Sequence, residues 1–214
     1  MDEADIRSLI DESTSLHSFF QQTLVSADLL ECDDMPAIAL SLLALGHGLS
    51  VLTLISNGMH PSAFSLIRLQ FEALVRSMWA LHCATETQLD KLTAVPSPES
   101  LQAGRSLPGI SEMLNALAKS ETVHPSAKEM LESFRETLMP ELNSFIHSGI
   151  LPFQLLISGV PPSLQAIGIK NCNAISSMTA MHLALISGDK NAIGTISKSQ
   201  NRFANCLPPL LQRK

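Results

Sequence analysis

The sequence predicts an all-α protein, a multi-helix bundle built around a long antiparallel helical hairpin at about residues 34–56 and 61–84. Aromatic residues make up 4% of the chain and Tyr is absent, so the core must consist mainly of Leu, Ile, Ala and Met, which suit helices. Apolar residues also recur at helical spacing along most segments. The 214 residues are 45% apolar, which is enough for one core. We therefore expect a single helical domain over 1–214.

The first part of the chain predicts three long helices. Residues 3–30 carry a broken apolar stripe, with acidic residues in the first turn where the helix dipole favours them. A second helix starts after Asp34, a residue type favoured at the N-cap, and runs to about residue 56. A third covers 61–84. The turn between the second and third helices is short, so these two should pack side by side in opposite directions.

Shorter helices are predicted in the middle of the chain, and longer ones near its end. The residues at 96–109 include three prolines and two glycines, which predicts a mobile loop. We expect the C-terminal helices of 150–214 to pack on the bundle. The remaining predicted helices cover about 85–94, 110–119, 125–138, 140–147, 162–186 and 189–206.

One segment has the length and composition of a membrane span. Residues 37–55 contain no formal charge, and 19 residues nearly cross a bilayer. Against a span, glycines flank His47 in its middle, no Tyr or Trp marks an interface, and the next helix carries Arg68, Glu72 and Arg76 in its interior. We therefore expect a buried helix rather than a membrane span, and a membrane-associated helical protein is the weaker alternative. The acidic N-terminus does not resemble a signal peptide, which favours a cytoplasmic protein.

Composition argues against several classes of function. The formal net charge is −6 and no basic run exists, so DNA binding is not expected, although a local RNA site is compatible with this charge. The four cysteines are isolated and form no CxxC pair, so we expect reduced thiols, no metal and no cofactor. No P-loop, nucleophile elbow or HExxH motif occurs.

The third predicted helix carries a charged stripe, which we call the arginine stripe: Arg68, Glu72, Arg76 and Trp79. Spacing of four residues places the three charged side chains on one helical face, and Trp79 falls within the same arc. A solvent face seldom carries the single Trp of a protein, so we expect the stripe to line a cleft or an interface and to bind a ligand. Glu72 can pair with either arginine and leave the other for an anion. The alternative is a ladder that merely joins neighbouring helices.

The hairpin geometry brings His47 into the same region. If the turn is centred between Asn57 and His60, paired positions sum to about 117, which places His47 level with residue 70. Gly46 and Gly48 each cost about 1 kcal/mol in a helix interior, so the close approach of another helix or room for a ligand should compensate. We expect His47 to face the arginine stripe as a ligand-binding residue. The alternative is a hydrogen-bonded core histidine.

A third candidate lies near the end of the helix predicted at 140–147. Asn143 and His147 are four residues apart and therefore share a face. Asn143 can orient His147 as a general base or acid. Alternatively, His147 caps the carbonyls of the last helical turn.

These motifs resemble bacterial families of uncharacterised function that are placed near HEPN-like helical bundles. Residues 62–76 (SAFSLIRLQFEALVR), then Trp79, and later the helix that ends in Asn143-Ser-Phe-Ile-His147 carry the resemblance, which covers about residues 35–150. HEPN bundles are commonly homodimers, and many are metal-independent RNases in toxin–antitoxin or phage-defence systems. We expect a dimer through helix one or the helices after residue 160.

The HEPN signature is an Arg followed by a His four to six residues later, and Arg76 and His82 have this spacing. The resemblance implies that Arg76 or Arg68 holds an RNA phosphate and that His82, His147 or His47 moves the proton, without a metal. On one continuous helix, however, Arg76 and His82 are about 120° apart. The alternative function is a non-catalytic bundle that binds a partner protein or a small anionic ligand through the Arg68/Arg76 face.

Overall fold

The computed structural model describes residues 2–25, 27, 29 and 32–209, and within these residues it contains helices and no strand. The predicted all-α class is confirmed. The helices are α1 (Glu3–Val25), α2 (Met35–Ser56), α3 (His60–His82), α4 (Glu86–Thr93), α5 (Pro98–Gly104), α6 (Ile110–Lys119), α7 (Pro125–Thr137), α8 (Met139–Ile146), α9 (Ile150–Ser158), α10 (Pro162–Ser187), α11 (Lys190–Ile196), α12 (Ser199–Arg202) and a final 3₁₀ turn (Ala204–Cys206).

The predicted hairpin is formed by α2 and α3, which pack antiparallel along their length. The Ser41 and Ser77 hydroxyls are 2.8 Å apart, and the Ser77 hydroxyl also donates to the Ala37 carbonyl at 2.7 Å. The paired serines sum to 118, within one residue of the predicted register. Asp34 is the N-cap of α2 as predicted, but its side chain makes no capping hydrogen bond.

The segment at 96–109, predicted to be a loop, contains helix α5. Ser97 starts this helix, because its hydroxyl accepts from the Ser100 N–H at 3.1 Å. Pro98 follows at the first helical position, where a missing N–H costs nothing. The proline that looked like a helix breaker therefore begins a helix. Mobility of this segment stays a prediction.

Three other boundaries differ from the predicted ones. The helix predicted at 3–30 ends at Val25, and residues 26, 28, 30 and 31 lie outside the described part of the chain. Helix α9 was not predicted. The helix predicted at 189–206 divides into α11, α12 and the 3₁₀ turn.

Helix α3 lies between two groups of helices. On one side, α10 packs against both α2 and α3, and α1 packs against α10 and α2. On the other side, α6 and α8 pack against α3, and α7 packs against α6 and α8. The buried apolar side chains form one cluster that extends from α1 to the final turn. Helix α10 contributes thirteen buried residues, so it is part of the core.

Helix α2 is the one helix in the described part of the chain that is long and apolar enough to cross a membrane, with a mean hydropathy of 2.1 over its most apolar window. Core helices share both properties. In the structure α2 lies against α3 and α10 and buries Ser41, Ala44, Gly48, Val51 and Ile55 along one face. The opposite face is exposed and carries Leu42, Leu43 and Leu49, so 39% of that window is buried and the expected burial of the helix holds for one face only.

A group of polar side chains crosses the interior where α1, α2, α3 and α10 meet. We call this group the polar seam: Ser13, His17, Gln70, Asn173 and Ser176, all of which are buried. The Gln70 amide donates to the Ser176 hydroxyl at 2.9 Å, and the Asn173 amide donates to the Ser13 hydroxyl at 2.7 Å. The Asn173 amide also donates to the Cys206 carbonyl at 2.8 Å. The seam therefore links all three helices that surround α2.

Gly48 is the α2 residue that meets the polar seam. A Cβ at this position would lie 2.7 Å from the Ser176 hydroxyl, 2.8 Å from the Gln70 amide nitrogen and 2.9 Å from a ring carbon of His17. Each distance is shorter than side chains tolerate, so the seam can approach α2 only because Gly48 has no side chain. At Gly46, one half-turn away, no atom lies within 4 Å of such a Cβ. Packing therefore requires a glycine at position 48 but not at position 46.

We predict opposite effects of alanine at the two positions. Gly48→Ala should lower the free energy of unfolding by about 1–3 kcal/mol, because overpacking outweighs the gain in helix propensity. Gly46→Ala should raise it by about 0.5–1 kcal/mol, because only the propensity gain applies. Urea unfolding of both variants checks this. Equal effects at the two glycines would contradict the packing described for Gly48.

Candidate functional site

The arginine stripe clamps two helices together. The Arg68 guanidinium pairs with Glu72, with Nε 2.6 Å from Oε1, and its Nη1 donates to the Asn143 side-chain oxygen on α8. Arg68 and Glu72 are mostly buried, at 16% and 24% side-chain exposure. This arrangement is the ladder that joins helices, and it occupies Arg68, Glu72 and Asn143 with one another.

Arg76 does not join the clamp. It is half-buried, and within the described residues it forms no ion pair and its Nε has no hydrogen-bond partner. Trp79 is 2% exposed, so it lies in the core. The expectation that Trp79 lines an open cleft is therefore wrong, because α3 is buried over most of its circumference in this half. Glu72 leaves one guanidinium unpaired, as predicted, and that one is Arg76.

His47 lies at the predicted level of the hairpin but on the wrong face for its predicted role. Gln70 is the α3 residue that points to Gly48. Arg68 and Glu72 are each two residues from Gln70, so they lie about 160° away from it around the helix, and Arg68 faces α8. Within the described residues, His47 makes no hydrogen bond, and partial burial lowers its pKa. The expectation that His47 faces the stripe is therefore wrong.

His82 lies at the far end of α3 in a different set of contacts. Its Nδ1 is 2.9 Å from the Thr122 hydroxyl, and its ring centre is 6.1 Å from that of His182. Burial lowers the pKa of His82, and the charge of Asp34 partly offsets this. Six residues separate Arg76 from His82, which means about 9 Å along the helix and about 120° around it. No hydrogen bond joins the two side chains in the described part of the structure.

His147 is exposed at the end of α8. Its backbone N–H donates to the Asn143 carbonyl at 3.1 Å, as a residue that closes a helix does. The Asn143 side chain holds Arg68 rather than the His147 ring. The predicted catalytic residues thus lie apart: Arg76 within α3, His82 at its end, and His147 at the end of another helix.

A cavity of about 440 Å³ lies between α7 and α10 and is closed at one end by the chain after the 3₁₀ turn. We call it the α7–α10 cavity. Its volume is within the range of small-molecule sites. Apolar side chains form most of its wall. Those side chains are Met130, Phe134, Leu138, Ala174, Pro208 and Pro209.

The polar groups of the α7–α10 cavity are available to a ligand. Ser126, Ser133 and Asn171 line it, and none of their side chains makes a hydrogen bond within the described residues. Glu129, which is exposed at the rim, is the one charged residue among the described lining residues. Thr137, Ser177 and Gln200 line it too, and their side chains donate to backbone carbonyls. The cavity therefore offers apolar side chains, one negative charge and six neutral polar side chains, of which three have no intramolecular partner in the described residues.

Few features of the sequence indicate this cavity. Its two walls are at least 33 residues apart in the chain, from Leu138 to Asn171, and α7 carries enough charge to resemble a fully exposed helix. Within α7, Phe134 indicates an apolar face, and it packs against Phe71 on α3 with ring centres 5.7 Å apart. That contact fixes one face of α7 against the bundle and leaves the neighbouring face over α10.

In the residues that the structure describes, no cluster of three or more His, Cys, Asp or Glu side chains is placed to hold a metal ion.

Comparison with known proteins gives one match. The model of a family described as a family of unknown function covers residues 41–209, from the second turn of α2 through the final 3₁₀ turn. No curated protein and no solved structure matches the chain. The match does not extend to HEPN bundles, so that resemblance stays a prediction.

Two buried histidines predict a pH dependence of stability. Burial lowers the pKa of both His17 and His182 from 6.5 to about 4. Between these values the unfolded chain binds the protons and the native chain does not, so stability should rise with pH from about 4 to about 6.5. The gain should be roughly 3 kcal/mol for each histidine. Urea unfolding at a series of pH values measures it.

Two variants separate this effect from other titrations. His17→Gln keeps a hydrogen-bonding side chain and should reduce the pH dependence by about half. Replacing His182 by Gln as well should remove most of the remaining pH dependence. Stability that is flat between these pH values, or that falls as the pH rises, would contradict the burial of the two imidazoles.

Proposed function

The chain belongs to this family of unknown function, DUF6988, and we propose that it is a non-catalytic helical bundle that binds a small amphipathic molecule in the α7–α10 cavity. The observation that carries the proposal is the cavity itself. It combines apolar walls with three polar side chains, Ser126, Ser133 and Asn171, that have no intramolecular partner in the described structure. A few hydrogen-bonding groups that converge on an apolar pocket are typical of small-molecule sites.

The charge of the cavity indicates the kind of ligand. Glu129 repels a carboxylate or phosphate and attracts an ammonium group. The neutral hydroxyl and amide groups accept either an alcohol or an amine. The ligand should therefore have an apolar body and a neutral or positively charged head. This differs from the anionic ligand expected at the arginine stripe, because Arg68, Glu72 and Arg76 do not line this cavity.

RNA cleavage has less support in the geometry. A metal-independent RNase needs a cation at the phosphate and an imidazole at the 2′-oxygen of the same nucleotide. Arg76 has no histidine within hydrogen-bonding distance in the described structure, and His82 contacts Thr122 instead. The RNase hypothesis therefore rests on the HEPN-like resemblance over about residues 35–150 alone.

Three probes with one apolar body and different heads test the proposal: 4-phenylbutylamine, 4-phenylbutanol and 4-phenylbutyrate. Titration by NMR or calorimetry should show that the amine and the alcohol bind and that the carboxylate binds more weakly, by about two- to fivefold relative to the amine. Ser133→Phe should abolish binding of all three, because the new ring fills the cavity from α7.

Charge variants provide the matched controls. Glu129→Gln should remove most of the difference between the amine and the carboxylate. Glu136→Gln changes a carboxylate on the same helix that lines only the groove against α6, so it should preserve the difference. Binding that Ser133→Phe leaves intact, or no binding of any probe, would contradict the proposal. Cleavage of single-stranded RNA in EDTA by the wild type but not by Arg76→Ala would support the RNase instead.

A further inference from the structure

Helix α9 has an apolar outer surface. Ile150, Phe153, Leu156 and Ile157 are between 62% and 76% exposed, and none of the nine residues of α9 is buried. The apolar side chains of α9 that pack against the core are those of Leu151 and Leu155, which are one turn apart and partly buried. A helix that is apolar on all sides is normally enclosed by protein on all sides. The outer face of α9 therefore lacks the cover that its composition calls for.

The stretch of chain that contains α9 carries no formal charge. Residues 142–169 contain no Asp, Glu, Lys or Arg. A face without charge can meet a copy of itself without repulsion, which a two-fold interface requires. Attachment to a lipid surface normally involves Lys or Arg beside the apolar face and Trp or Tyr at the interface, and α9 has neither. The composition of this face therefore favours protein over lipid.

The exposed area sets the strength of such a contact. Four large apolar side chains hold on the order of 400 Å² per copy. Ile146 and Ile167, on the helices before and after α9, are 37% and 53% exposed and add to the apolar surface of this stretch. Two copies would bury on the order of 1,000 Å² in total, at the lower end of specific interfaces. A contact of this size corresponds to a weak, concentration-dependent dimer.

We propose that the outer face of α9 is the surface through which two copies of this chain associate. The two α9 helices pack against each other about a two-fold axis, with Phe153 and Leu156 at the centre of the contact. The sequence predicted a dimer through α1 or through the helices after residue 160. The proposed interface uses α9 instead, which precedes those later helices in the chain.

Analytical ultracentrifugation over a range of micromolar concentrations tests the proposal. The wild type should shift from monomer to dimer as its concentration rises. Phe153→Glu and Leu156→Glu should each raise the dissociation constant at least about tenfold, because they place like charges at the centre of the interface. Leu101→Glu is the control: Leu101 is 70% exposed on α5, so its replacement should leave the dissociation constant unchanged.

Circular dichroism of each variant confirms that the fold is retained. A wild type that stays monomeric over the whole range would overturn the proposal, and so would a dimer that Leu156→Glu and Leu101→Glu affect equally. Flotation of the monomeric wild type with phosphatidylcholine vesicles, lost in Leu156→Glu, would assign the face to lipid instead. Capture of a different protein by a wild type that does not self-associate would assign it to a hetero-complex.

Discussion

The contact between Gly48 and the polar seam is the constraint on which the rest of the bundle depends. Polar side chains inside a helical core are stable only when hydrogen-bonded, and the seam bonds Gln70 to Ser176 and Asn173 to Ser13 across three helices. A rotation or a one-turn slip of any of these helices would separate the partners and leave buried groups unpaired. The seam therefore fixes the relative rotation of α1, α3 and α10, and Gly48 provides the space for it.

The rotation of α10 and α3 in the polar seam also determines which side chains lie on their opposite faces. On α10, Asn173 and Ser176 point to the seam, whereas Asn171 and Ala174 lie about 160° around the helix and form one wall of the α7–α10 cavity. On α3, Gln70 points to the seam, and the side opposite it carries the Arg68 clamp to α8. The clamp holds α8, and α8 leads directly into α9. One buried contact thus sets the geometry of both surfaces to which we assign binding.

The sequence predicted the hairpin well, because its register depends on local features: the Asn57-Gly58 turn and two long apolar helices of nearly equal length. It also marked Gly46 and Gly48 as a pair that needed compensation. It could not distinguish the two, since the atoms that surround Gly48 come from His17, Gln70 and Ser176, far apart in the chain. Helical spacing identified the Arg68–Glu72 pair, which depends on adjacent turns of one helix.

The functional surfaces were harder to predict for a physical reason. A cavity is the space left between segments that are distant in the chain. The local sequence of α7 does not indicate where α10 lies, so it cannot predict the space between them. The nine residues of α9 carry no charge, a composition that is typical of the core. Only the structure shows that this helix lies at the surface. A composition typical of the core on an exposed helix then becomes an argument for a binding partner.

A double-mutant cycle between Gly48 and Ser176 tests the central claim most directly. The Ser176 hydroxyl is the atom closest to a side chain added at Gly48, so Ser176→Ala should relieve part of the strain that Gly48→Ala introduces. Urea unfolding of the wild type, both single variants and the double variant should give a coupling free energy of at least about 1 kcal/mol, with the double variant more stable than the sum of the single effects predicts. Effects that add within about 0.5 kcal/mol would show that α2 does not press on the seam at this position.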